Sequence, residues 1–199
     1  DEYGWRNFGD IYADHEEDYY RESGPLVSHY NNQYDIIWGA GLNFALDGDG
    51  RWLRMMDELA RHVREIDIYR TDRDVAAYNN GLFWHTAHDV SADDSTHRTY
   101  PSSGAGGSGG PSTEHVYAGG LALHYALTGD QASRDAVIAL ASYVIACDDS
   151  QRTPWRWLSK QPTGVASQTG GPDYHGPGRG AGNAIHVLIE AADLTGQAS

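Results

Sequence analysis

An internal repeat narrows the possible folds of this chain more than any other feature. "WGAGLNFALDGDGRWLRMMDELARHV", residues 38–63, aligns with "GGLALHYALTGDQASRDAVIALASYV", residues 119–144, when Gly48-Asp49 is set on Gly129-Asp130. The offset is 81 throughout (129 − 48 = 81). Leu42 falls on Leu123, Leu46 on Leu127, Leu59 on Leu140, Ala60 on Ala141 and Val63 on Val144. A third copy begins at "GNAIHVLIEAADLTGQ", where Leu194-Thr195-Gly196 repeats Leu127-Thr128-Gly129. Self-similarity at a fixed spacing means that each copy is one supersecondary unit, which buries its apolar face against a neighbour.

Within each copy the apolar residues recur at three and four, the spacing of one helix face. Gly48 and Gly129 stand where a helix ends in left-handed geometry. Asp49 and Asp130 follow as caps of the next helix. The "DGDG" of residues 47–50 also has the look of a calcium loop, but its repetition as a Gly-Asp turn favours the turn. Helices are therefore predicted near 33–46, 52–66, 113–127, 131–146 and 180–194. The first helix of each pair is almost continuously apolar or small and is expected to be buried on most sides. The second mixes charge with apolar positions, as a surface helix does. The fold class is all-α: two complete αα-hairpins and the first helix of a third. The whole of 1–199 is read as a single partial domain with a lead-in segment at 1–27. The missing partner of the third helix predicts a larger parent chain.

Charge bears on partners. Twenty-eight acidic residues face fourteen basic ones, a net −14, and such a field repels phosphate backbones. Nucleic-acid binding is not expected. Asp outnumbers Glu 20 to 8, and Lys160 is the sole lysine. That balance suits a chain kept soluble in high salt, or an ordinary acidic protein from a GC-rich genome. The single cysteine, Cys147, excludes an internal disulfide and sits in an apolar helical run as a small hydrophobe. No stretch reaches membrane-spanning length.

The hairpin turns, together with "HYNNQYD", "FWH", "HRTYP" and "EHVYAGGL", resemble the six-hairpin (α/α)6-toroid carbohydrate-active enzymes, in particular exo-acting polysaccharide-lyase-like proteins. The resemblance covers roughly residues 25–199. It implies that this chain forms about half of a toroid and packs against further hairpins. It also implies a saccharide cleft at one end of the inner-helix ring, lined by the long Gly-rich loops that lead into inner helices. Those loops are 28–35, 109–120 and 171–183. Gly104–Gly110 has almost no side chain to bury and is expected to be mobile.

Four of the ten histidines, His85, His88, His97 and His115, crowd into residues 84–120. His85 and His88 are three apart with Asp89 adjacent, a spacing open to a divalent metal if helical. The segment lacks the Glu of a metalloprotease motif, so metal-free cleft histidines are preferred and no cofactor is expected. Eliminative cleavage of an acidic polysaccharide needs a base, an acid and a group that offsets the uronic carboxylate. His97 and His115 are candidate bases, Tyr100 a candidate proton donor and Glu114 a further carboxyl group. Arg98, Arg179 and Asn31 can hold the carboxylate. Tyr34, Trp84, Tyr117 and Tyr174, with His88, complete the substrate-binding set, since flat rings cover the apolar faces of pyranoses. In an acidic chain this chemistry requires Arg6, Arg98, Arg152, Arg156 and Arg179 to converge. Glycoside hydrolysis would instead use two opposed carboxyl groups from Asp35, Asp89, Glu114 and Asp173. A noncatalytic glycan-binding or cell-surface structural protein is the alternative from another class. His62, His124 and His186 lie in the repeated helices and read as packing or surface residues.

Overall fold

The protein is described from a computed structural model, which describes residues 11–13, 28–30, 32, 34–70, 79–82, 113–146, 157–158 and 179–196. Most of these are helical. Strands β1 (Ile11–Ala13) and β2 (Ser28–Tyr30) pair antiparallel, with Ile11 opposite Tyr30. Helices α1 (Ile36–Asp47) and α2 (Gly50–His62) form the first hairpin, and α3 (Gly119–Thr128) and α4 (Gln131–Ala146) the second. Helix α5 spans Arg179–Thr195. Four of the five helices begin and end within about four residues of the predicted bounds. The exception is α3, whose lead-in is a separate 3-10 turn at Thr113–His115 followed by three residues outside any helix or strand.

The turns follow the sequence pattern closely. Gly48, Gly129 and Gly196 are the glycines with positive φ among the described residues, at 71°, 75° and 68°. Gly48 donates its N–H to Phe44 O at 2.8 Å and Gly129 to Tyr125 O at 2.7 Å, closing α1 and α3. Asp49 then accepts from Arg51 N at 2.9 Å, and Asp130 accepts from Ala132 N at 2.9 Å. Asp47 accepts from Asp49 N and from the Trp52 indole. The "DGDG" carboxylates are thus turn and cap groups. A π-helical turn, Val63–Asp67, extends α2 and brings Asp67 Oδ1 within 3.1 Å of His62 Nε2.

The core is built from Ile37, Met56, Leu59, Leu121, Val137, Leu140, Val144 and Val187, all buried, with Ala40, Ala60, Ala136 and Ala184 at the close approaches. One expectation needs correcting. The first helix of each hairpin is not buried on most sides in every case. Helix α1 leaves Trp38 41%, Leu42 45% and Leu46 84% exposed, and α5 leaves Ile185 and Ile189 open. The reason is the number of neighbours. Helix α3 packs against α1, α2, α4 and α5, whereas the main helical neighbours of α1 are α2 and α3. An apolar stripe is buried only where another element meets it.

Polar groups cross the hairpin interface. His124 is fully buried; its Nδ1 is 2.8 Å from Ser133 Oγ and its Nε2 is 3.2 Å from Asp57 Oδ1. Arg64 donates to Ser133 Oγ at 2.9 Å and to Asp130. Because Arg64 can only donate, Ser133 can pass its hydroxyl hydrogen to His124, which then donates to Asp57. Arg64 thereby ties the end of α2 to the start of α4. Burial tends to raise the Asp130 pKa, but hydrogen bonds from Arg64 and Ala132, with the nearby positive charge, bring it below the usual carboxylate value.

Two tests follow from this packing. A Cβ on Gly120 would lie 2.6 Å from Trp38 N and 2.6 Å from Ile37 Cβ, whereas one on Gly182 meets nothing within 4 Å. Denaturant unfolding is expected to show Gly120→Ala destabilised by about 2 kcal/mol or more and Gly182→Ala stabilised by about 0.5–1 kcal/mol. Arg64→Ala strands partly buried partners and should cost about 1–3 kcal/mol at neutral pH. A lowered carboxylate pKa supplies stability above its unfolded value, lost as pH falls through the folded one. The deficit of Arg64→Ala should therefore shrink in unfolding curves taken below about pH 4.

Candidate functional site

The starts of α1 and α3 come together against α5 at one end of the fold, and Asp35 joins the two. It is the N-cap of α1, with Oδ1 accepting from Trp38 N at 3.4 Å, and its Oδ2 accepts from Gly120 N of α3 at 2.8 Å. Asn32 supports it from below. Its amide donates to Asp35 Oδ1 at 3.3 Å and its own Oδ1 accepts from Ile37 N at 3.1 Å. The turn that makes this possible is unusual for L-residues. Asn32, Tyr34 and Asp35 all have positive φ, at 51°, 56° and 57°. Asn and Asp tolerate this region, but a bulky residue there is an outlier, and such strain collects at functional sites.

Gly119 and Gly120 allow the approach. A Cβ on Gly119 would stand 3.1 Å from His186 Cε1, 3.2 Å from Asp35 Oδ2 and 3.5 Å from Trp38 Cε3. Those three side chains, from α1 and α5, surround one notch at the start of α3. His186 is 58% exposed, and its Nε2 lies 3.4 Å from Glu190 Oε1 one turn on. Burial raises the Asp35 pKa despite its hydrogen bonds and the charge of His186. Burial also raises that of Glu190, against the influence of His186.

Tyr117 closes the other side. Its hydroxyl is 3.2 Å from His115 Nδ1, and its ring is tilted against that of Tyr34 with centroids 6.4 Å apart. Burial raises the pKa of Tyr117, while a backbone hydrogen bond from Tyr34 and the charge of Arg179 pull the other way. A phenol so held stays protonated at neutral pH, which suits a proton donor. His115 is only 2% exposed, so it meets the opening through Tyr117.

Of the residues singled out in the sequence, Tyr34, Asp35, His115 and Tyr117 meet here, and Arg179 is near enough to act on Tyr117 through its charge. Glu114 lies in the 3-10 turn beside His115. Asn31, Trp84, His85, His88, Asp89, His97, Arg98, Tyr100 and Tyr174 lie outside the described residues, as do residues 102–112. Sequence reasoning passed over Asn32, Trp38, His186 and Glu190. The His-x-x-x-Glu spacing of the last two was the available signal, since four residues make one helical turn. Among the described residues, no group of three His, Cys, Asp or Glu side chains is arranged to hold a metal. No described helix is long and apolar enough to cross a membrane.

Asp35→Asn should reveal how far this end of the fold leans on one carboxylate. The amide has only one oxygen for three donors, and a loss of about 1–3 kcal/mol is expected. A raised pKa makes the wild-type advantage greatest below the unfolded carboxylate value of 3.8, and it declines as pH rises through the folded value. Thermal unfolding of both proteins across pH checks the sign. Comparison with protein-family models, curated proteins and solved structures found no match to this chain, so the functional reading rests on this arrangement of side chains.

Proposed function

We propose that this chain is part of a carbohydrate-active enzyme of six-hairpin (α/α)6-toroid architecture, and that it cleaves an acidic polysaccharide by elimination. One observation carries the reading: Tyr117, with its hydroxyl on His115 and within electrostatic reach of Arg179, stands with Tyr34 and Asp35 where the starts of α1 and α3 meet the part of α5 that carries His186. Elimination from a 4-linked uronide removes the proton beside the carboxylate and expels the glycosidic oxygen. Tyr117 gives its proton to that oxygen. Arg179 holds the carboxylate, drawing charge away from the carbon that loses the proton. Exposed Tyr34 and Trp38 offer apolar faces to the sugar ring. His97 and Tyr100 enter the proposal from the sequence as a further base and acid. Further hairpins of the same toroid are its structural partners, and no cofactor is required by this chemistry.

A second reading, glycoside hydrolysis, is favoured by two carboxyl groups near His186, Asp35 and Glu190, each shifted upward by burial, the direction that suits a general acid. Product chemistry separates the two. Polygalacturonate, alginate and chondroitin sulfate should yield chains ending in an ultraviolet-absorbing unsaturated uronide. New reducing ends without that absorbance would turn the assignment to hydrolysis, and saccharide binding without turnover to a glycan-binding protein. Tyr117→Phe keeps the ring packing and removes the proton. It should lower the rate about a hundredfold or more while leaving the circular dichroism unchanged.

A further inference from the structure

We propose that His186 is the proton-abstracting base of this site and that Glu190 positions it. The inference rests on the eliminative reading above and adds to it a residue whose helical setting in the sequence suggested packing or surface. Three observations carry it. First, the imidazole is engaged on one side only. Nε2 faces Glu190 Oε1 at 3.4 Å, no partner for Nδ1 is found among the described residues, and the ring is 58% exposed. A carboxylate beside one nitrogen with the other nitrogen open is an arrangement that suits a histidine working as a base.

Second, its surroundings differ from those of an ordinary surface pair on a helix. His186 Cε1 lies 3.1 Å from the point where a Cβ of Gly119 would stand, with Asp35 Oδ2 and Trp38 Cε3 around the same point. Gly119 therefore leaves room beside the imidazole that any other residue would fill. Glu190 is only partly exposed, so its carboxylate is not fully screened by water. Third, the competing histidine of the described site is out of reach. His115 is buried behind Tyr117, and His186 is the imidazole left at the opening.

The step balances without a further reactant. His186 Nδ1 takes the proton from the carbon bearing the carboxylate. The C–H electron pair becomes the new C=C bond, the bond from the adjacent carbon to the glycosidic oxygen breaks, and that oxygen leaves with its electron pair and takes the Tyr117 proton. The imidazolium then loses its proton to water and Tyr117 regains one, so no electron is gained or lost overall.

The test uses the whole chain with the three polymers named above. His186→Ala should lower the elimination rate about a hundredfold or more, and added imidazole should restore at least a tenth of the loss. Because the ring is largely exposed, the cavity left behind is open to the added base, and a structural role would show no such rescue. Glu190→Gln should lower kcat about tenfold or more with KM little changed, the mark of a group acting on the base and not on the ground-state sugar. Circular dichroism of each variant and a parallel His186→Gln protein check folding. An active wild type with His186→Ala within a few-fold of it, or a loss that imidazole does not relieve, would overturn the base assignment and leave the eliminative reading intact. Loss in His97→Ala while His186→Ala remains active would give the role to His97. A wild type that forms no unsaturated product from any of the polymers would overturn the eliminative reading itself, and the base assignment with it.

Discussion

One end of this fold depends on a single carboxylate reaching one amide. Asp35 caps its own helix with one oxygen and takes Gly120 N–H with the other. The partners are 85 residues apart in sequence, so a local device, the N-cap, also sets the distance between two hairpins. The geometry is exclusive. Gly120 must lack a side chain because the backbone of Trp38 occupies the space, and Asn32 must bend the preceding turn to present Asp35 at all. The positions of Tyr117 beside Tyr34 and of His186 beside Asp35 follow from that junction.

Much of the helical pattern was legible in the sequence because its signals are local. A glycine forced into left-handed geometry and an aspartate capping the next helix act within four residues, and both recur at an offset of 81. The coverage of a helix is not local. The stripe of Trp38, Leu42 and Leu46 has the spacing of a buried face, yet spacing says nothing of what packs there, and most of it faces outward. The site divides in the same way. Tyr34, His115, Tyr117 and Arg179 were visible because they stand in loops or at helix starts. His186 and Glu190 lie two turns or more inside α5, where the sequence offers a helix pattern and no hint that Gly119 leaves a notch opposite. Asn31 drew attention in "HYNNQYD", while the side chain that holds the turn is that of its neighbour, Asn32.

The two hairpins share a backbone plan but not their polar chemistry. At the repeat offset His124 stands on Asn43 (124 − 81 = 43) and Ser133 on Trp52 (133 − 81 = 52). Asn43 bonds to Gly39 O in its own helix and Trp52 to the turn residue Asp47, so both act locally. Their counterparts act across the interface, with Asp57 of α2 and Arg64 of the π-helical turn that follows it. Turn geometry is imposed by backbone sterics and survives repetition. Buried polar groups must be matched to particular neighbours, and the second hairpin has neighbours on more sides than the first.

The bend at Asn32, Tyr34 and Asp35 also bears on how tightly this opening is defined. A glycine at position 34 would adopt the left-handed conformation without penalty, yet a tyrosine stands there, 69% exposed, with no burial to compensate. Backbone of this kind stores on the order of 1–3 kcal/mol per residue. The surroundings therefore hold the backbone at Tyr34 against a standing torsional load, with its ring tilted against that of Tyr117. Backbone freedom at this position is already spent before anything meets Tyr34, so less of it remains to be lost on contact. The molecule gives up some global stability at this bend and sets an exposed aromatic residue at the edge of the opening.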